Sequence, residues 1–188
     1  MFRKKQEGPA VLSVQARPAG VSNGLPLGAG ERELYRALRQ SVPIIDAAVY
    51  KLRRLIGDFK VSCPDGEVQE RLQRFLDGVK VNAGGTGINE FLGIYLEELI
   101  TYGNAVGEMV ASGGQIGALY NAGLRDLELE GDGSLGIKVY VLEPGGRREC
   151  QCSELLLVSA LNPEAGSLWG VSLLRGLPFV SSVLMQIY

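Results

Sequence analysis

Four sets of side chains in this sequence have types and spacings that could do chemistry. Glu97 and Glu98 are adjacent carboxylates, the kind of group that general acid–base catalysis uses. They fall in a helical pattern, where neighbours point about 100° apart, so the two cannot converge on one substrate. Cys150 and Cys152 are two apart and would put both thiols on one face of a strand. Two thiolates without further ligands make a poor zinc site, and these read as small hydrophobes. Asp126, Glu128, Glu130 and Asp132 could gather a metal, but strand alternation spreads them along a solvent face. Residues 81–89, VNAGGTGIN, have the glycines of a phosphate loop, yet no Gly-Lys-Ser/Thr follows Gly87, so they read as a flexible connection between helices.

What is missing narrows the chemistry further. The chain has no histidine, which removes the commonest general base, the commonest metal ligand and every Ser-His-Asp or Cys-His arrangement. The expectation is a protein without catalytic residues, cofactor or metal. With Cys63, the cysteines number three, an odd set that suits a reducing compartment. Nineteen basic and 21 acidic side chains give a net charge of −2, so no broad basic surface advertises nucleic-acid binding. No apolar run reaches the roughly 18 residues of a membrane span. The start, MFRKKQ, is basic, but no continuous apolar core follows it as a signal peptide requires. A soluble protein made in the cytoplasm, with no membrane partner, is expected.

The elements that must position these residues come in order. Residues 1–30 are rich in Gly and Pro and predict a flexible arm with a basic tip at Arg3, Lys4 and Lys5. A domain over 31–188 follows. ERELYRALRQ is a short helical pattern, and Ser41 is a possible N-cap for a second helix with Pro43 in its first turn. In that helix Ile44, Ile45, Ala48, Val49, Leu52, Leu55 and Ile56 share a face, Lys51, Arg53 and Arg54 lie off it in solvent, and Gly57 ends it. Residues 58–63 are a strand candidate, and Pro64-Asp65-Gly66 is a turn. A third helix turns Val68, Leu72, Phe75 and Leu76 inward.

The organising stretch is residues 90–108, EFLGIYLEELITYGNAVGE. Phe91, Leu92, Tyr95, Leu96 and Leu99 form the buried stripe of an amphipathic helix, with Glu90, Glu97, Glu98 and Thr101 mostly on the other side. Gly103 sits where a helix stops in the left-handed conformation, and the period then changes to that of a strand. Ser112-Gly113-Gly114 makes a hairpin, and turns at 131–134 and 144–146 extend it into a meander of about five or six strands. From Ser167 the chain is apolar and helical, interrupted near Gly176 and Pro178. The fold class is therefore α+β: N-terminal helices packed on an antiparallel meander, followed by an apolar C-terminal helix.

This ordered series resembles the N-terminal region of tailed-bacteriophage portal proteins. The likeness rests on Val42-Pro43 opening a helix, the Gly103-Asn104-Ala105 turn from helix to strand, a glycine turn and Leu-Tyr strand end, and Asn162-Pro163. It ends with Trp169-Gly170-Val171-Ser172-Leu173-Leu174, similar to the family's Gly-x-Ser-x-Leu helix start. It runs from about residue 35 to 188, and its structural motif residues are Pro43, Gly103, Asn104, Trp169, Gly170 and Ser172. The resemblance implies a structural subunit of the ring at one capsid vertex, through which DNA is packaged and ejected. By resemblance the ring is a dodecamer. Capsid, terminase and head-completion proteins are the implied partners, with double-stranded DNA passing without sequence specificity, first in the host cytoplasm and then in the virion. The family's channel-lining and motor-docking parts follow the matched portion, so the chain is expected to be incomplete at its C-terminus. A small cytoplasmic interaction module offering a sheet edge, or an enzyme using carboxylates, are the alternative readings.

Overall fold

The computed structural model describes residues 28–131, 137–165 and 167–178. Residues 1–27 of the expected arm, Asp132 and the apolar segment 179–188 lie outside the described residues, while residues 28–30 of that arm are helical and not flexible chain. Within them the chain is α+β, with helices α1 (Gly28–Ser41), α2 (Pro43–Ile56), α3 (Gly66–Gly78) and α4 (Ile88–Tyr102). The strands are β1 (Lys80–Val81), β2 (Gly85–Thr86), β3 (Asn104–Ser112), β4 (Gln115–Ala122), β5 (Leu127–Gly131), β6 (Ile137–Glu143), β7 (Gly146–Glu149) and β8 (Leu156–Ala160).

The expected meander resolves into two sheets. One is mixed, in the order β2-β1-β4-β3-β8, and the other is antiparallel, β5-β6-β7. Their hairpins follow local rules. Gly113 and Gly114 both have positive φ, 60° and 76°, which is the turn that matches the twist of β3 and β4. Two pairings are not local. β1 runs parallel to β4, and β8, which follows the small sheet in the chain, pairs with β3, Asn104 opposite Ala160. β3 is thus central, with Val106 facing Ala122 on one side and Val158 on the other.

Several expectations for the helical layer are corrected. Ser41 is the last residue of α1, and Val42, extended at φ −121° and ψ 94°, precedes α2 with no side-chain cap. Pro43 needs none there, because its missing N–H is one that a helix start leaves unpaired. Gly57 ends α2 as expected, its N–H reaching Arg53 O at 3.3 Å. Only Ile45 and Val49 of the shared apolar face are buried; Ile44, Leu52, Leu55 and Ile56 are exposed. No residue of α3 is buried, and Val68 and Phe75 are exposed. α3 starts on Asp65, whose carboxylate accepts from the N–H groups of Glu67 and Val68 at 2.9 and 3.0 Å.

Residues 58–63 form no strand. Side-chain amides hold their backbone instead: Phe59 N donates to Asn89 Oδ1 at 2.7 Å, and Gln69 bridges Cys63 N and Val61 O. The glycine-rich connection is not merely flexible either, since it contains the β1–β2 hairpin. Cys150 and Cys152 do not share a strand face. β7 stops at Glu149, so alternation ends, leaving Cys150 buried and Cys152 exposed, both free along with Cys63. Burial raises the Cys150 thiol above its usual pKa.

Three clusters make the core. Tyr35, Leu38, Ile45, Val49 and Ile100 join α1, α2 and α4, with Leu174 closing them from the C-terminal side. Phe91 and Tyr95 press α4 onto Val81, Ala105 and Leu119 of the large sheet. Val106, Leu127, Leu129 and Val139 join the two sheets. α4 therefore touches helices on one side and sheet on the other, which buries Thr101 and half-buries Glu97 and Glu98 on the face expected to be polar and outward.

Candidate functional site

Residues separated by more than sixty positions meet where α4 turns into β3. A helix end leaves its last carbonyls without intrahelical partners, and here they must be met inside the protein. Gly103 adopts the left-handed conformation, φ 80° and ψ −12°, with its N–H on Leu99 O at 2.9 Å, as the sequence predicts. The orphan carbonyls are taken by the C-terminal segment. Leu173 N donates to Ile100 O at 3.2 Å, Ser172 Oγ donates to Thr101 O at 2.6 Å, and Leu161 N donates to Gly103 O at 2.8 Å. Ser172 Oγ also accepts from Leu174 N at 2.9 Å, so it starts the turn at 173–176 in the manner of a cap.

Asn104 is the hub. Its amide donates to Ser159 O and Leu168 O at 3.3 and 3.2 Å, and its carbonyl accepts from Gly170 N at 2.9 Å. One buried side chain thus ties β3, β8 and the 168–170 strap together. The strap passes so close that only glycine fits. A Cβ on Gly170 would stand 2.0 Å from Gly103 O and 2.5 Å from Leu161 N, and one on Gly103 would stand 2.7 Å from Gly170 C. Gly103, Asn104, Gly170 and Ser172 are therefore brought together. Trp169 adjoins them, half-buried, with its ring under the Arg32 guanidinium at 5.3 Å. Pro43 is exposed at the start of α2 and lies outside this set of hydrogen bonds.

A second polar assembly was not read from the sequence. Arg39 holds Asp46 at 2.7 Å, Glu97 at 3.4 Å and Thr101 Oγ1 at 3.0 Å, while Arg53 holds Glu97 at 2.6 Å. It links α1, α2 and α4, so Arg53 is not simply solvated. Its signal in the sequence is Gly93 within the helix, one turn before Glu97: a Cβ there would stand 2.3 Å from Arg53 Nη2, so the glycine leaves a path for the guanidinium. Glu98 takes no part. Burial alone raises its carboxyl from 4.5 to about 7, and its Oε2 has no hydrogen-bond partner. The two carboxylates have different surroundings: Glu97 is held by two guanidinium groups, and Glu98 is largely buried. Among the described residues no group of three or more His, Cys, Asp or Glu could hold a metal ion. Glu128 and Glu130 are bridged by Arg147 at 3.0 and 3.1 Å along the small sheet.

Beside the corner lies a half-open cleft of about 560 Å³, lined by Arg32, Tyr35 and Tyr102 on the helical side. Trp169, Ser172 and Arg175 line the other. No helix among the described residues is long and apolar enough to cross a membrane. Compared with models of known protein families the chain matches none, and no curated protein matches it.

Proposed function

We propose that this chain is the N-terminal portion of a tailed-bacteriophage portal subunit. In this reading it is a structural protein that assembles with copies of itself into a ring, a dodecamer by resemblance. Double-stranded DNA passes through the ring during packaging and ejection. Capsid, terminase and head-completion proteins are its neighbours, in the host cytoplasm during assembly and in the virion afterwards. It carries out no turnover.

The observation that carries the reading is the uncovered apolar face of α2. Ile44 and Leu55 are 75% and 73% exposed, with Leu52, Ile56 and the nearby Phe59 also exposed. A ring subunit needs surfaces that meet head to tail with a rotation that closes, and uncovered apolar residues in one contiguous helix are what such a surface offers. The motif residues support the same reading by what they do: Gly103, Asn104, Gly170 and Ser172 bind backbone to backbone and expose no reactive group. Electron microscopy of purified full-length protein is the test. Closed rings with a central channel are the expected result, and discrete monomers at every concentration would count against it.

A further inference from the structure

We infer that the cleft between α1 and residues 164–175 binds a carboxylate carried on an apolar body, anchored by Arg32. The inference stands independently of the portal reading. Arg32 is only 8% exposed, and its Nε–H is buried without an acceptor. Its guanidinium lies over the Trp169 ring at 5.3 Å, and the favourable charge of Glu31 is outweighed by burial. Withdrawing a cation from water without a full set of acceptors is unfavourable, and burial accordingly lowers the Arg32 pKa. A ligand carboxylate adds acceptors for the terminal amino nitrogens, whose parallel N–H donors match its two oxygens, and leaves the enclosed Nε as it is. Since Nε is shut off by protein, the terminal amino nitrogens make the contact.

The surroundings select the rest of the ligand. A volume of about 560 Å³ is that of a small-ligand site, and Tyr35, Tyr102, Trp169 and Val171 give it apolar walls. Arg175 adds a second positive charge at the rim, paired with Glu164 at 3.7 Å. Glu31 and Glu164 line the cleft too, and they oppose a second negative charge on the ligand. A monoanionic carboxylate is therefore favoured over a phosphate dianion.

Trp169 is the only tryptophan, so its fluorescence reports this site directly. The full chain is titrated with cyclohexanecarboxylate, acetate and inorganic phosphate in turn. The expected result is a saturable change with cyclohexanecarboxylate, weaker binding of acetate and the weakest of phosphate. Arg32→Met should weaken the first by about ten-fold or more. A response that does not saturate, phosphate binding more tightly than the carboxylates, or equal affinity in Arg32→Met would overturn the assignment. Should Arg32→Met fail to fold, the exposed Arg175→Ala decides: a loss of about three-fold in affinity supports the site, and unchanged affinity contradicts it.

Discussion

At the α4–β3 corner Thr101 and Asn104 are polar and yet 0% and 2% exposed, while on α2 Ile44 and Leu55 are apolar and largely in solvent. The two regions have the same kind of helical pattern behind them. They differ in what lies across from them. The C-terminal strap covers the corner and supplies Gly170 N, Ser172 Oγ and Leu173 N to otherwise unpaired groups. Nothing among the described residues does so for the outer face of α2. Polar groups are buried where the opposing backbone can bond them, and apolar groups stay exposed where no chain arrives.

If the corner is as closely built as this, a single methyl group should break it. Gly170→Ala brings Cβ against the backbone at Gly103 and Leu161, where no flexible side chain can yield. A loss of at least about 3 kcal/mol is expected in chemical denaturation, or failure to fold. Wild-type stability in that variant would mean the strap does not cross there.

Next in size is a pH effect confined to the buried side of α4. Because the folded state raises the Glu98 carboxyl from 4.5 to about 7, the folded protein holds a proton that the unfolded chain releases within that interval. Stability contributed by this group is full below 4.5, falls as pH rises through about 7, and is level above it. The whole drop is up to about 3 kcal/mol. Glu98→Gln should flatten this slope in urea melts across that window. An equal slope in both proteins would place the titration elsewhere.

Asn104→Ala should come third, at about 2 kcal/mol. It leaves the Gly170 N–H and the Ser159 and Leu168 carbonyls short of a partner but introduces no clash. Gly93→Ala sharpens the contrast from the other end. Its Cβ also meets an atom too closely, at 2.3 Å, but that atom is the tip of the Arg53 side chain. Alanine's gain in helix propensity, about 1 kcal/mol, offsets the loosened Arg53–Glu97 pair, and a net change within about 1 kcal/mol is expected. Two Gly→Ala changes with equal melting temperatures would contradict the distinction between backbone and side-chain neighbours.

What could be read from the sequence is what is local. Gly103 as a helix stop, the Gly113-Gly114 hairpin, Gly57 and Pro43 each follow from one residue's conformational preference. The α+β class follows from the change of period after Gly103. The split into two sheets was not legible, because β1–β4 and β3–β8 pair across 38 or more positions and alternation carries no label for its partner. For the same reason, helical spacing found the apolar residues of α2 and α3 but not whether anything covers them. The motif residues of the corner were read separately, as turn and helix-start signals. Their meeting through Asn104 depends on the strap's path, which no spacing encodes.

The most direct measurement concerns that uncovered face. Light scattering over a range of concentrations compares the wild-type chain with a variant carrying Ile44→Ser and Leu55→Ser together. The expected result is a wild-type mass that rises with concentration, and a variant that stays monomeric with stability changed by no more than about 0.5 kcal/mol per site. A wild type that remains monomeric throughout, or a variant destabilised as strongly as a core substitution, would show that the α2 face is not a surface for copies of this chain.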